Sequence, residues 1–389
     1  MKTILVLGGY GNFGKRISEH LSTIPKIKLL VSGRNFNKAS SLVESLKERG
    51  NCQLQALVLD IFDNNFRSKL QELSVDLVIH TCGPFQGQDY SIPLACINAG
   101  AHYIDLSDDR SFTCHIPSLD RTAKEKNLLI VSGASSVPGL SSTVVDHYQS
   151  AFSRIDSIDI AIAPGNKAER GEATIRGILS YTGHSFKVFS EGKWNKAYGW
   201  MQPKILDFGD KLGKRWLANV DVPDLTLFPE RYKVKKRVSF KAGLELSILH
   251  LIMVGMAAIT KIGLVRNWAP TTKLIVKVSQ WFNRFGTDKG GMQISIKGND
   301  LNGGYQSIKW SLFADNGIGP CIPTISAILL AKKLIAEEIQ TRGAIPCLAM
   351  YTLEEFEQHI KDLDITTHVE KIQNECEVIV KDYSGENIG

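Results

Sequence analysis

No two of the seven cysteines, at positions 52, 82, 96, 114, 321, 347 and 376, stand as a C-x-x-C pair, and no cysteines or histidines recur at zinc-ligand spacing. No metal site is expected, and an odd number of thiols cannot form a fully paired disulfide framework. No signal-like segment precedes the first predicted strand, so the expectation is a reduced, cytoplasmic protein with free thiols. There is no internal repeat and no low-complexity tract. No apolar run reaches the roughly 20 residues of a bilayer span. The run that comes nearest, Leu246 to Ile259, is broken by Ser247, His250 and Gly255, and Lys261 and Arg266 follow it. It predicts a helix buried at a subunit or lipid interface, with peripheral membrane contact as the lipid form of that reading. A formal charge of +6 over 389 residues is too small to indicate a nucleic-acid partner without a basic cluster on one face. The richest cluster, Arg231, Lys233, Lys235, Lys236 and Arg237, reads as a solvated strand or an anion-facing edge. With 43% hydrophobic and 22% charged residues, the composition is that of a soluble globular enzyme, and the length predicts two domains.

The strongest positive signal is at the start. Lys2-Thr3-Ile4-Leu5-Val6-Leu7 is an apolar, β-branched run leading into G-x-G-x-x-G at Gly9, Gly11 and Gly14. Ile17, Leu21 and Ile24 then recur at helical spacing. Strand, glycine turn and helix form the context in which this motif binds a dinucleotide. Gly9 is expected to allow the tight turn, Gly11 to admit a pyrophosphate against the backbone, and Gly14 to let helix and strand pack closely. Tyr10, Asn12 and Phe13 complete the loop whose N–H groups, with the helix dipole, hold the anion.

The first third continues to alternate strands with helices. Strands are predicted at Ile27–Ser32, Leu54–Leu59, Val75–His80, His102–Leu106 and Leu128–Ser132, with helices between them. This is the pattern of an α/β, doubly wound parallel sheet of the Rossmann kind. Such sheets bind ligands at strand C-terminal ends, which makes Asp60 a further cofactor candidate. From about Ser150 the character changes, with Trp194, Trp200 and Trp216 among basic residues. Residues 293–298 and 306–312 alternate with a period of two around Asn302-Gly303-Gly304 and predict an antiparallel hairpin. The run from Ile325 to Ile339 has a helical apolar face.

The residue type at the end of the second strand selects the dinucleotide. NAD sites place a carboxylate there, roughly 20 residues after the glycines. Here the chain reads Val31-Ser32-Gly33-Arg34-Asn35. Arg34 can meet a 2′-phosphate in a forked geometry, and Ser32 and Asn35 can add hydrogen bonds. NADP is expected over NAD, the alternative being a surface arginine at a turn.

Three later segments are more specific in combination. They are Gly83-Pro84-Phe85-Gln86-Gly87-Gln88-Asp89-Tyr90, His102-Tyr103-Ile104-Asp105-Leu106-Ser107-Asp108-Asp109-Arg110, and Ser132 to Ser142 with Val137-Pro138-Gly139-Leu140. With the glycine loop and Gly319-Pro320-Cys321-Ile322-Pro323-Thr324, they resemble the saccharopine dehydrogenase-like oxidoreductases from the N-terminus to about Phe356. The resemblance implies a Rossmann domain at 1–140 and an inserted α/β domain at 141–318 with a largely antiparallel sheet, substrate contacts and often a dimer interface, hence a homodimer. It also implies a C-terminal segment, 319–389, whose helix packs back on the first domain. Gly83, Pro84 and Phe85 would wrap the nicotinamide side of the cofactor. The Trp-rich stretch and Leu246–Ile259 depart from a pocket for a charged amino-dicarboxylate, so the expected substrate is a small, lipid-like molecule.

For proton transfer, Asp108 lies at the end of the fifth strand and would need burial to raise its pKa. Asp105 could brace the loop, and Asp108 with Asp109 could simply begin a helix. Tyr181 and His184 are the best polar pair of the inserted domain, with a packing role as the alternative. The competing reading of the whole chain is a non-catalytic dinucleotide-binding protein, membrane-associated or acting as a scaffold.

Overall fold

The computed structural model of the chain describes residues 1–373 and 377–383; Cys376, counted above among the free thiols, and the last residues of the expected C-terminal segment lie outside the described residues. The other six cysteines are free. The chain divides into two compact units, residues 1–140 with 321–351, and 141–320 with 352 onward.

The first unit opens with β1 (Lys2–Leu7), α1 (Asn12–Ser22), β2 (Ile27–Gly33), α2 (Phe36–Lys47), β3 (Gln53–Val58), α3 (Phe66–Glu72) and β4 (Leu77–His80). It continues through α4 (Ser91–Asn98), β5 (His102–Asp105), α5 (Arg110–His115), α6 (Asp120–Glu125) and β6 (Leu129–Ser132). Ile4, Leu5, Val6 and Leu7 are all fully buried, so β1 is covered on both faces. That is why its sequence is a continuous apolar run and does not alternate. Helix α1 buries Gly14, Ile17, Ser18, Leu21 and Ser22, one stripe at helical spacing.

The second unit begins with α7 (Ser141–Gln149), β7 (Arg154–Ala163) and α8 (Glu172–Tyr181). Then come β8 (Ser185–Ser190), β9 (Lys193–Tyr198), β10 (Lys204–Asp207), β11 (Lys214–Asn219), α9 (Asp224–Arg231) and β12 (Arg237–Ala242). Helices α10 (Ser247–Lys261) and α11 (Thr272–Gln280) precede the hairpin β13 (Gly290–Asn299) and β14 (Tyr305–Ala314). The hairpin is antiparallel, with Ile294 facing Trp310, as its alternation predicts. The chain returns to the first unit for α12 (Ile322–Ile335) and β15 (Gly343–Pro346), then adds α13 (Leu353–Ile360), β16 (Ile365–Gln373) and β17 (Glu377–Tyr383) to the second.

The sheet of the first unit has the order β15-β6-β5-β4-β1-β2-β3, parallel throughout. After β3 the chain crosses back to the other side of β1. The crevice that binds ligands in such sheets therefore opens at the C-terminal ends of β1 and β4. The larger sheet of the second unit runs β10-β11-β12-β7-β13-β14-β16-β17, with β8 and β9 attached at β12. It is antiparallel except where β12 pairs with β7.

One expectation is corrected. The segment from 319 does not return whole to the first domain: β16 pairs with β14 over Gln306↔Gln373 to Ala314↔Ile365. Phe356 of α13 is fully buried with its ring 6.5 Å from that of Trp310, also fully buried. These strands satisfy the free edge of β14, so residues from 352 onward belong to the second unit. Helix α10 is covered on one face only. His250, Met253, Ala257 and Thr260 point inward, while Ile248, Leu251 and Ile252 are at least half exposed. Among the described residues no helix is long and apolar enough to cross a membrane.

Phe356→Ala should destabilise the second unit by about 3–5 kcal/mol, the cost of truncating a fully buried aromatic residue. Thermal unfolding followed by tryptophan fluorescence checks this. NADP affinity should be retained, because α13 is not part of the first unit; lost affinity with an unchanged melting curve would return α13 to that unit.

Candidate active site

The glycine loop works somewhat differently from the motif's usual assignment. The left-handed residue is Gly8, with φ +74°, and a Cβ there would lie 2.9 Å from both Cys82 Sγ and Thr81 Oγ1. Gly9, expected to make the turn, is instead squeezed between strands: its Cβ would stand 2.8 Å from Val31 Cγ1 and 3.1 Å from Val6 O. At Gly14 a Cβ would sit 2.1 Å from Gly8 O, so only glycine lets α1 start against the end of β1. Gly9 N–H donates to Ser32 O and Gly11 N–H to Gly8 O, both at 2.8 Å. These two amides are therefore used inside the loop. Lys15 N–H, bonded to Gly11 O at 2.9 Å, is the first to close a helical turn. The amides of Asn12, Phe13 and Gly14 precede it and point out of the helix end. Arg16, which sequence reasoning passed over, lays its guanidinium on the carbonyl and side-chain oxygens of Asn12. It adds a positive charge beside an end that the helix dipole already makes electropositive.

At the end of β2, Tyr10 lies across Gly33, where a Cβ would come within 2.4 Å of its ring. The Tyr10 hydroxyl accepts the N–H of Asn35 at 2.9 Å. Gly33, one residue past the predicted strand, closes β2, and its lack of a side chain is what admits Tyr10. Arg34 is exposed and makes no ion pair among the described residues. Asn35 caps α2, accepting Lys38 N–H at 3.1 Å. Ser32 is corrected: its hydroxyl is fully buried and donates to Val6 O at 3.0 Å, so it is a strand brace and offers nothing to a phosphate. Asp60 is half-buried at the end of β3 and accepts Phe62 N–H at 3.1 Å through one oxygen. Burial pushes the Cys82 thiol up to about 12, with the charges of Arg34 and Asp60 both acting on it. These three groups therefore lie close together.

At the end of β4, Gln88 Nε2 donates to Cys82 O at 2.9 Å and to Pro84 O at 2.8 Å, fixing the Gly83-Pro84 turn, whose peptide is cis. Phe85 is corrected as a cofactor contact. It is 5% exposed, with its ring 5.0 Å from His80 and 5.4 Å from Phe112, and it packs the interior under the turn.

Asp105, at the end of β5, is a fully buried hub. Its Oδ1 accepts Ser107 N–H at 2.9 Å, Gly133 N–H at 2.8 Å and Ser132 Oγ–H at 2.9 Å, while Oδ2 has no partner. Burial outweighs these bonds and pushes its carboxyl up to about 6. The Tyr103 hydroxyl lies 2.9 Å from His80 Nδ1, and burial drives that imidazole down to about 3. Asp105 therefore braces the loop, and Asp109 supplies the helix cap by accepting Phe112 N–H at 2.7 Å. Asp108 does neither. It reaches solvent, yet the protein packed around it raises its pKa, opposed by a 3.3 Å bond from Gln86 Nε2. Tyr181 and His184 belong to the second unit, at the end of α8 and the turn after it. His184 is exposed and its Nε2 lies 2.8 Å from Arg266 O, which gives it a structural partner within its own unit.

Residues 4–131 match the family model of the saccharopine dehydrogenase NADP binding domain. The solved apo saccharopine dehydrogenase (L-Glu forming) of Saccharomyces cerevisiae superposes with a TM-score of 0.65 over 94% of this chain and 100% of its own, at 13% identity. The first domain is thus similar to the NADP-binding domain of that family, and the whole chain shares the fold of the yeast enzyme. Looser overlaps, at TM-scores of 0.47 and 0.44, join it to an amine dehydrogenase of Mycobacterium smegmatis (10% identity, 90% and 95% coverage) and a probable dehydrogenase of Thermotoga maritima (11% identity, 95% and 98% coverage). No curated protein sequence matches the chain. The family's cofactor fits the residues present. The cradle of Gly8, Gly9 and Gly14 is one that any Cβ would fill, and the open amides of α1 and the unpaired Arg34 are anion-binding groups.

Arg34→Ala should weaken NADP by about 1.5–3 kcal/mol, the range for hydrogen bonds to charged groups, and leave NAD nearly unchanged in calorimetry. Equal losses for both would remove Arg34 from the 2′-phosphate. The buried acid and base make opposite contributions to stability. Asp105, at about 6 when folded against an ordinary 3.8, costs stability as pH rises through that window. His80, at about 3 against 6.5, costs stability as pH falls through its own window. Asp105→Asn removes the first term, so melting temperature should rise with pH from about 4 to 6 more steeply than in the wild type. Parallel profiles would contradict the buried carboxyl.

Proposed function

We propose that the chain transfers a hydride between NADP and a small, lipid-like substrate, with Asp108 as the proton-transferring group. The observation that carries this reading is Asp108 itself. It is a carboxyl at the end of β5, open to solvent and raised in pKa, with no capping or bracing duty. A group in that state stays protonated to higher pH than an ordinary aspartate, which suits acid–base work.

Tyr10, Gly11, Asn12, Phe13 and Gly14 would hold the pyrophosphate, Arg34 the 2′-phosphate, and the turn at Gly83 and Pro84 the nicotinamide side. NADP, when bound, supplies or accepts the hydride. Gln86 steadies the Asp108 carboxyl, and the neighbouring charge of Asp109 favours its protonated form. Asp105 keeps the β5 and β6 loops in register through its three hydrogen bonds. Asn35 and Asp60 stand at the adenosine side, though one oxygen of each already serves the backbone.

The substrate class is argued from charge. Asp108 and Asp109 place two carboxyl groups just beyond the end of β5, beside Gln86. Such a surface repels a dicarboxylate and favours an apolar carbonyl or enone compound.

NADPH oxidation with a panel of aliphatic ketones, enones and keto-acids tests the reading. In the reducing direction kcat/KM should be sustained while Asp108 is protonated and fall as pH rises past its raised pKa. Asp108→Asn should lower kcat by about 10²–10⁴ and abolish that limb, with NADP affinity kept. Unchanged kcat and pH profile would dismiss Asp108. No turnover with any member of the panel, despite tight NADP binding, would favour the non-catalytic dinucleotide-binding reading.

A further inference from the structure

Between Leu246 and Thr287 the chain has no Asp and no Glu, and it has five cationic side chains, Lys261, Arg266, Lys273, Lys277 and Arg284. All five are exposed and none makes an ion pair among the described residues. The same stretch carries the densest exposed apolar surface of the second unit. On α10, Ile248, Leu251, Ile252 and Ile259 recur on the face opposite His250, Met253, Ala257 and Thr260. Ile262 and Leu264 in the following turn are 71% and 75% exposed. On α11 and its extension, Leu274, Val278, Trp281 and Phe285 repeat at the spacing of one helix face and are all exposed, Trp281 by 67%. Lys273, Lys277 and Arg284 follow the same repeat one residue earlier, so a basic stripe runs beside the apolar one. The Trp268 indole donates to Met256 O at 3.2 Å and Thr260 Oγ1 at 2.8 Å, tying the segment before α11 to α10.

Single exposed hydrophobic side chains need no explanation, but two ordered stripes do. Their chemistry identifies what covers them. Apolar stripes rimmed by Lys and Arg, with a tryptophan and a phenylalanine among them, match an anionic lipid surface, where rings and aliphatic chains enter the headgroup boundary and cations meet phosphate. A second copy of the same face is the poorer fit, because a two-fold contact would set these cations against themselves with no acid to pair them. The helices are too short to span, so contact is peripheral.

We propose that α10, the turn after it and α11 dock the protein peripherally on membranes rich in anionic lipid. This inference is independent of the assignment of Asp108, since none of its residues lies in the first unit. The full chain would be floated with phosphatidylcholine vesicles containing about one-third phosphatidylglycerol, and with phosphatidylcholine alone. Binding should be at least about tenfold stronger to the anionic vesicles and should fall as salt is raised. The double variant Lys273→Glu, Lys277→Glu should lose at least about tenfold of it, and Trp281→Glu a comparable amount. All three positions are exposed, and an unchanged thermal unfolding curve of the second unit verifies that each variant is folded. Absence of flotation, equal binding to both vesicle types, or undiminished binding of the charge variant would overturn the proposal. So would a wild-type dimer that ignores vesicles and is split by Ile252→Asp, which would give the face to a second copy.

Discussion

The absence of a side chain at Gly14 is the constraint on which the cofactor-binding end depends. Helix α1 begins so close to β1 that any Cβ at this position would fall 2.1 Å from the Gly8 carbonyl oxygen. That approach directs the first amides of α1 and the guanidinium of Arg16 to the end of β1. It also forces the left-handed turn at Gly8 and squeezes Gly9 against Val31. Helix dipole, open amides and a nearby cation act together there only because the backbone is packed without side chains between.

A second constraint is electrostatic. Asp105 gathers hydrogen bonds from Ser107, Ser132 and Gly133 on one oxygen while its other oxygen has no partner. A buried carboxyl in that state is held by geometry and not by charge pairing, so its cost in desolvation is substantial. His80 and Tyr103 beside it are equally enclosed. The strand ends are thus rigid at the level of side chains, which leaves Asp108, just beyond them, poised without itself being bound into the network.

Legibility in the sequence followed the scale of the physical cause. The strand–glycine–helix start, the parallel sheet and the antiparallel hairpin come from periodicity and backbone chemistry, which act over a few residues and are written locally. The placement of β16 against β14 is set by an edge that needs a partner, and nothing local to residues 365–373 records that. Ser32, Phe85 and His184 were read by residue type at the right address. Each proved to be engaged by a neighbour distant in sequence: Val6, His80 with Phe112, and Arg266. Conversely Gly33 and Arg16 carry no local motif, whereas Asp105 is expected to brace its loop and does so.

The run at Leu246–Ile259 shows why hydropathy alone is an ambiguous guide to burial. An apolar sequence has the same composition whether both faces of its helix are covered or only one. Polarity on the inward side decides the matter here. His250 and Thr260 are buried, and isoleucines and a leucine face out. A helix that places its polar groups inside and its apolar ones in solvent has its hydrophobic driving force unsatisfied within its own chain. The cations of α11 stand in step with a second apolar stripe through register, which composition does not record.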